Sequence, residues 1–326
     1  MKVSVVIRTY NEEKHLRALL AGVQAQELDG NEIETVLVDS GSTDGTLAIA
    51  REFAVRIVPI RKEDFSFGRS LNVGCAAANG DALVFVSGHC IPAGTRWIAD
   101  LVAPLGRDGV VYAYGGQWGD ETSWFSERQI FCKYFPGRDK LPQDGFYCNN
   151  ANAALLRSAW LEHRFDEELT GLEDMHLAKR LVALGHAVGY VAQAAVYHLH
   201  SESWPQVRRR FEREAIALQH IMPEVHLTRL DVVRYFFSAV FLDMGAALQQ
   251  KAFRRHAAGI VAYRFQQFTG AYRGNHFYRR LSRDMKEAYF YPRPAAARSS
   301  STAAPIQDDH HTEETHRRPA AHEGQQ

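Results

Sequence analysis

The sequence predicts an α/β protein with a mostly parallel sheet flanked by helices. Short β-branched apolar runs alternate with segments of helical period from the first residue onward. Four of these runs have the character of buried strands and lie at 3–7, 34–38, 55–58 and 82–86. The repeating order of strand, loop and helix is typical of parallel strands joined by crossover helices.

Apolar spacing and capping residues predict the helices. Leucines and a valine between 16 and 23 follow i, i+3, i+4, i+7 spacing, with Asn11 as the expected N-cap. Residues 44–54 predict a second helix, and Ser70 is the expected cap of a third. After Val110 the pattern loosens. Further predictions are a strand at 152–156, a helix at 173–184, and strands at 188–192 and 195–198.

Composition divides the chain into three segments. Residues 1–200 are the predicted catalytic domain. Residues 201–293 are a predicted basic helical region, opened by Ser203 as a cap, because 204–293 hold 16 Lys and Arg against seven Asp and Glu. Residues 294–326 have almost no large apolar side chains, so we predict that this tail is disordered.

Global composition excludes several classes of protein. The chain has 38 basic and 38 acidic residues, so nothing points to a nucleic-acid partner. Its four cysteines form no CxxC pair and indicate reduced thiols in the cytoplasm. The N-terminal apolar run is too short for a signal peptide. The apolar stretch 232–248 contains Arg234 and Asp243 and is shorter than the ~20 residues that a membrane span needs.

Polar residues follow the predicted strands at the edge where ligands bind in such sheets. They lie at 8–12, 39–46 and 87–90. Asp39, directly after a buried strand, is well placed to accept hydrogen bonds from a ribose or a base, and Gly41 lets the backbone approach closely. Asp, Ser and Gly also form ordinary turns, so neither of the first two segments alone distinguishes a binding site from a turn.

Together these segments resemble a known family. SVVIRTYNEE, LVDSGSTDGT and EDFSFGRSLNVGCAAANGDALVFVSGHCIP are similar to inverting glycosyltransferases of family 2, which have the GT-A fold, and to their rhamnosyltransferase-like branch. The resemblance extends over roughly 1–215. It implies that a UDP- or dTDP-sugar donor is bound by Thr9, Asn11, Glu12 and Asp39. Arg69 and Asn72 match donor-side positions approximately, although Leu71 stands where the branch usually has Arg.

The chain departs from the family where a metal is expected. The fourth strand of the family normally ends in a DxD-type pattern whose last Asp binds a divalent cation, Mn²⁺ or Mg²⁺, but here the residues are Ser87-Gly88-His89. Imidazole suits Mn²⁺ better than Mg²⁺ and suits Zn²⁺ much better. Three alternatives stay open: His89 ligates a metal, His89 contacts the diphosphate directly, or the site is degenerate.

Two further histidines are candidates for the same role. His198 and His200 alternate along an extended strand and therefore share one face. The segment VYHLHSESWPQVRRRFE resembles a histidine-rich and basic segment of the rhamnosyltransferase-like branch. Either histidine could meet the diphosphate or a metal, and His198 is the preferred candidate.

An acidic residue on an apolar helix face is the candidate base. Asp174 shares its face with Leu177 and Leu181, and the helix N-terminus favours its ionised form. First-turn acidic residues are also common without any function. The resemblance implies that Asp174 deprotonates the acceptor hydroxyl and that Glu173 orients it or is structural. General-base assistance is typically worth about 10² to 10⁴ in rate.

The acceptor side is expected in GFYCNNANAALL, which resembles the family's acceptor loop and strand. Asn149, Asn150 and Asn152 offer hydrogen-bond donors and acceptors for sugar hydroxyls, and Trp118 or Trp124 could stack on a sugar ring.

The resemblance implies transfer with inversion to a glycan or lipid-linked acceptor in bacterial surface polysaccharide synthesis. The basic helical region would then rest on the inner face of the cytoplasmic membrane as a peripheral contact, although simple helix packing explains the same residues. One alternative is a sugar nucleotidyltransferase, which the lack of a Gly-rich basic loop after the first strand disfavours. The other is a non-catalytic GT-A scaffold, which the missing DxD pattern keeps open.

Overall fold

The structure, a computed structural model, describes residues 1–277. The tail predicted to be disordered and the end of the predicted basic region lie outside the described residues. Within them, the strands are β1 Lys2–Thr9, β2 Glu32–Asp39, β3 Arg56–Pro59, β4 Ala82–Ser87, β5 Cys90–Pro92, β6 Val110–Trp118, β7 Asn152–Leu156 and β8 Ala187–His198.

Ten α-helices are interleaved with these strands in the described part of the chain. They are α1 Glu13–Gln24, α2 Thr46–Ala50, α3 Phe67–Ala77, α4 Trp97–Val102, α5 Phe125–Tyr134, α6 Arg157–Glu162, α7 Glu173–Ala183, α8 Trp204–Ile221, α9 Arg229–Gln249 and α10 Phe253–Asn275. A short 3₁₀ turn at Lys62–Asp64 precedes α3.

All eight strands form one mixed sheet in the order β3-β2-β1-β4-β7-β6-β8-β5. The first four in this order are parallel, and β7 pairs antiparallel with both β4 and β6. The carboxyl ends of β1, β2 and β4 therefore meet at one edge. The predicted α/β fold and its first four strands are confirmed.

Hydrophobic clusters cover both faces of the sheet because successive side chains of a strand point to opposite sides. Val3, Val5 and Ile7 of β1 pack with the apolar face of α1, which is the face predicted from the spacing of its leucines. Val6 points to the other face and packs in the cluster that contains Leu71 of α3. The four cysteines are free, as predicted.

Two predicted caps are wrong, and one predicted break in a strand does not exist. The N-cap of α1 is Glu12, because Asn11 adopts a left-handed backbone (φ 56°) and its side chain accepts a hydrogen bond from Thr43 N instead. Helix α3 begins earlier, capped by Ser66, which leaves Ser70 inside the helix. The strands predicted at 188–192 and 195–198 are one continuous strand, β8.

Helices α8, α9 and α10 follow the sheet. Ser203 caps α8 through a capping box with Gln206, as predicted. Helix α10 packs closely on α8 through two glycines: an added Cβ at Gly270 would lie 2.3 Å from the Arg208 carbonyl oxygen, and one at Gly274 would lie 2.2 Å from that of Glu212. Among residues 1–277 no helix is both long and apolar enough to cross a membrane, as expected for 232–248.

We expect Gly270→Ala to lower the free energy of unfolding by about 1–3 kcal/mol, because the new methyl group must push the α8 backbone away. Gly259→Ala in the same helix is the matched control. Its Cβ would meet only the Trp124 ring at 3.8 Å, so alanine should stabilise the protein by up to about 1 kcal/mol. Urea denaturation of both variants measures the difference. Equal midpoints would contradict the close packing of α8 and α10.

Candidate active site

The segment after β2 is a tight loop organised by the Asp39 carboxylate. Asp39 Oδ2 accepts hydrogen bonds from the backbone of Gly41 (3.0 Å) and Ser42 (2.9 Å), and Oδ1 accepts from the Thr9 and Ser42 hydroxyls. Gly41 adopts φ 84°, a backbone region that favours glycine. Asp39 is only 3% exposed, so its visible role is to shape this loop beside the end of β1.

The segment after β1 is bound to the same loop. Asn11 N donates to Ser42 Oγ at 2.8 Å, and Glu12 N donates to Thr46 Oγ1 at 2.7 Å. The predicted donor-side residues Thr9, Asn11, Glu12 and Asp39 therefore lie in one hydrogen-bonded unit at the carboxyl edge of the sheet. Their contact with a nucleotide stays a prediction.

Three histidines converge next to this unit. His89 follows β4, while His198 and His200 lie at the end of β8, and ligand atoms of all three lie within 4.8 Å of one another. Gly88 permits the approach of His89, because a Cβ there would lie 2.8 Å from the Glu12 side chain and 3.0 Å from the Arg8 carbonyl oxygen. We call this group the histidine cluster.

Each ring of the histidine cluster is oriented by an oxygen atom. The Nδ1 atoms lie at 2.7, 2.7 and 2.9 Å from Glu12 Oε1 (His89), Gln117 Oε1 (His198) and Glu127 Oε1 (His200). Gln117 Nε2 donates to Asn149 Oδ1, which fixes the orientation of that amide. Carboxylate and amide oxygens only accept, so each Nδ1 carries a proton, and Nε2 is the ring nitrogen that remains for a ligand.

This arrangement fits a metal ion. His89 Nε2 and His198 Nε2 lie 3.2 Å apart, close to the roughly 3.3 Å expected between two imidazole nitrogens on one tetrahedral Zn²⁺. Burial lowers the pKa of His198 and of His200 well below the ordinary value, so both rings are neutral at pH 7. Oxygen partners behind the rings are the usual outer shell of metal-bound histidines.

Glu127 connects the histidine cluster to the C-terminal helices. Its Oε1 accepts from His200, from Arg210 of α8 at 2.7 Å and from Tyr263 of α10 at 3.4 Å. Arg210 also pairs with Glu202 at 2.7 Å. Burial raises the pKa of Glu127, although the Arg210 guanidinium opposes that shift.

Asp174 lies in the first turn of α7 in a buried position, as its place on the apolar face predicted. It is 7% exposed, and its carboxylate accepts hydrogen bonds from Asn150 N (2.8 Å) and Met175 N (2.7 Å). Burial and the adjacent charge of Glu173 raise the pKa of Asp174 to about 7. Glu173 itself pairs with Arg8 at 3.2 Å. A carboxyl group with such a pKa is suited to accept a proton near neutral pH.

The three predicted acceptor-side asparagines have different surroundings. Asn150 is buried beside Asp174, and its Nδ2 has no hydrogen-bond partner among the described residues. Asn149 Oδ1 accepts from Gln117 Nε2 and Ala151 N. Asn152 is fully buried, with both side-chain atoms bonded to Trp97 and to two backbone carbonyls. Asn152 could bind the sugar acceptor only if those hydrogen bonds were broken.

The remaining predicted residues also differ in availability. Asn72 uses both side-chain atoms to hold Trp160 and the segment 165–167, so a donor-side role would cost those bonds. Arg69 is half exposed, 3.9 Å from Asp64. Trp118 is 43% exposed and available for stacking, whereas the Trp124 ring packs on Trp204 at 4.1 Å.

Hydrogen bonds, together with the peptide bond between Asn149 and Asn150, connect Asp174 to the histidine cluster. His198 contacts Gln117, Gln117 contacts Asn149, and the next residue, Asn150, contacts Asp174. Sequence reasoning missed Gln117, Glu127 and the pairing of Arg8 with Glu173. A Glu in a helix and a Gln in a strand have no local signal for such a role, because their partners are 73 and 81 residues away.

The sheet edge thus brings together a loop shaped by Asp39, three histidines and a buried carboxyl group, Asp174. The family model "Glycosyl transferase family 2" matches residues 4–164, and the chain is a glycosyltransferase of this family. The predicted family and enzyme class are therefore confirmed.

Among similar proteins, the O-antigen chain rhamnosyltransferase RfbN of Salmonella typhimurium is 26% identical over 226 residues, 65% of this chain and 70% of RfbN. WbaN of Salmonella anatum, another O-antigen chain rhamnosyltransferase, is 25% identical, and the match covers 55% of this chain but only 60% of WbaN. The fold is similar to that of the mannosyltransferase PcManGT from Pyrobaculum calidifontis, solved with GDP-Man and Mn²⁺ (TM-score 0.57, 16% identity, 89% of this chain and 88% of that one).

Proposed function

We propose that the protein transfers a sugar from a nucleoside diphosphate sugar to an acceptor hydroxyl with inversion at the anomeric carbon. The observation that supports this most directly is the buried Asp174 carboxylate, linked through Asn150, Asn149 and Gln117 to the histidine cluster. A base and a site for the leaving diphosphate are thus held at one edge of the sheet.

In the proposed reaction Asp174 removes the proton from the acceptor hydroxyl as that oxygen attacks the anomeric carbon. The bond from that carbon to the diphosphate breaks on the opposite face, and the nucleoside diphosphate leaves. The unpartnered Nδ2 of Asn150 can donate a hydrogen bond to the acceptor oxygen beside the base. Arg8 holds Glu173 in an ion pair, which limits the electrostatic cost of two adjacent carboxylates.

The histidine cluster would hold a divalent cation through His89, His198 and His200. When bound, such an ion neutralises charge that develops on a departing diphosphate. Three imidazole ligands favour Zn²⁺ or Mn²⁺ over Mg²⁺, which prefers oxygen ligands and keeps several waters. Of the alternatives that the sequence leaves open, we therefore propose metal ligation by His89, with His200 as a third ligand.

The similarity to the O-antigen chain rhamnosyltransferases RfbN and WbaN supports a role in bacterial surface polysaccharide synthesis. We propose a UDP- or dTDP-sugar as donor and a glycan or lipid-linked glycan as acceptor, used at the cytoplasmic face of the membrane. Family membership disfavours the nucleotidyltransferase alternative. Turnover tests the alternative of a non-catalytic scaffold. We expect the protein to release nucleoside diphosphate from at least one of a panel of UDP-, dTDP- and GDP-sugars when glycan acceptors are present. If no donor is turned over and none is bound, the scaffold alternative is supported.

We expect Asp174→Asn to lower kcat by about 10²- to 10⁴-fold with little change in donor affinity, because the amide cannot accept the proton. Release of nucleoside diphosphate measures turnover, and calorimetry measures donor binding. Asp166→Asn is the control, because Asp166 is an acidic residue other than Glu173 and Asp174, and this variant should stay active. An active Asp174→Asn variant would refute the assignment of the base.

Because Asp174 must be ionised to act, we expect kcat to rise with pH through about 7. Glu173 raises the pKa of Asp174, so Glu173→Gln should move this acidic limb to lower pH. The exposed Glu162→Gln should leave the limb in place. A Glu173→Gln limb that does not move, or moves to higher pH, would contradict the proposed coupling of the two carboxylates.

We expect calorimetry to show that Zn²⁺ and Mn²⁺ bind more tightly than Mg²⁺. His200→Ala should weaken Zn²⁺ binding by more than the ~10- to 100-fold that loss of an outer-shell partner typically costs. His163→Ala, remote in sequence from the histidine cluster, is the control. Tight Mg²⁺ binding that His200→Ala does not change would be incompatible with a three-histidine site.

A further inference from the structure

Helix α9 exposes a row of large apolar side chains. The row, which we call the α9 stripe, consists of Leu230, Val233, Phe237, Phe241 and Leu248, and each of these is between 52% and 81% exposed. Spacings of three, four and seven residues place them along one side of the helix. The rings of Phe237 and Phe241 stack with centroids 6.3 Å apart.

The α9 stripe is not the face by which the helix packs in the protein. Val240, Asp243 and Ala247 are the buried residues of α9. Val240 and Ala247 join the cluster that contains Ile260 of α10. Asp243 receives two hydrogen bonds of 2.8 Å from Arg264. The helix is therefore held from one side, with a second apolar face turned to solvent.

The exposed charges on and next to α9 are mostly positive. Apart from Arg273, which pairs with Glu212, five exposed cations lie on α9 and α10 or in the turn between them: Arg229, Arg234, Lys251, Arg254 and Arg255. Two acidic residues lie on these helices, and only Asp231, which interacts electrostatically with Arg234, offsets an exposed cation. Asp231 is tied to Thr228 in the capping box of α9, and Asp243 is buried in its pair with Arg264.

These features distinguish between two possible occupants. A second copy of the chain, related by a two-fold axis, would bring the same cations face to face and incur repulsion. An anionic bilayer instead accepts the apolar side chains at the boundary of headgroups and acyl chains, while each nearby Lys or Arg is attracted to the surface.

We infer that the α9 stripe inserts into the interface of an anionic lipid bilayer and that the surrounding cations bind its headgroups. The surface itself does not depend on the proposed transfer reaction. If that reaction is correct, the stripe holds the enzyme beside a lipid-linked acceptor. The membrane contact of residues 201–293 stays a prediction, and this inference assigns it to one face of α9.

Co-sedimentation of the full chain with vesicles tests this inference. Wild-type protein should bind vesicles of phosphatidylcholine mixed with phosphatidylglycerol and bind pure phosphatidylcholine much more weakly. Phe237→Gln/Phe241→Gln should reduce binding by about tenfold or more, because two exposed rings lose their transfer into the acyl region. Arg234→Gln/Lys251→Gln should weaken binding to the anionic vesicles only. The matched control is Leu161→Gln/Leu184→Gln, which removes two exposed leucines of other elements.

Thermal melting and donor calorimetry should be the same for the phenylalanine variant and the wild type, which separates loss of the surface from loss of folding. Failure of wild-type protein to bind anionic vesicles, or equal binding by the phenylalanine variant, would overturn the inference. So would a wild-type dimer that the same substitutions convert to monomer without any vesicle binding. A protein that binds vesicles but transfers no sugar would refute the proposed function and leave the membrane surface standing.

Discussion

The arrangement of the site depends on how three histidine rings are oriented. Each Nδ1 donates to an oxygen of Glu12, Gln117 or Glu127, and the Nε2 atoms of His89 and His198 lie 3.2 Å apart. That geometry would suit a cation bound between the two nitrogens. The oxygens come from the segment after β1, from β6 and from α5, and the rings come from the ends of β4 and β8. The order of the strands in the sheet thus brings the three rings and their oxygen partners to the same place.

The same contacts join the helices after residue 200 to the proposed catalytic elements. Arg210 and Tyr263 reach Glu127, which orients His200, while Arg213 lies over the Phe67 ring, 4.5 Å from its centroid, and the Arg8 guanidinium lies 5.3 Å from the same centroid. Close packing at Gly270 and Gly274 holds α10 against α8. The predicted boundary near residue 200 therefore crosses a shared polar network. In the proposed account, the helical region supports the site and also presents the α9 stripe to a membrane.

Local sequence patterns predicted the strands, the α1 face and the buried position of Asp174, because these follow from periodicity. Predictions from local patterns were wrong where a polar side chain forms hydrogen bonds with residues distant in sequence. Asn11 was expected to cap α1 but adopts φ 56° to bind the loop after β2, and Asn72 and Asn152 use their side chains to hold buried segments. No local pattern predicted the contacts of Glu127 and Gln117, because their histidine partners lie 73 and 81 residues further along the chain. The resemblance to family 2 identified Asp174 as the candidate base. Periodicity alone could not distinguish it from an acidic residue that lies in the first turn of a helix without any function.

A crystal structure with Mn²⁺ or Zn²⁺, examined by anomalous scattering at the absorption edge of the metal, tests the central claim most directly. The account predicts one anomalous peak about 2.0–2.2 Å from the Nε2 atoms of His89, His198 and His200, with the Nδ1 atoms still bonded to Glu12, Gln117 and Glu127. Crystals containing either metal but showing no peak between the three rings, or a metal bound elsewhere with the rings turned away, would contradict it.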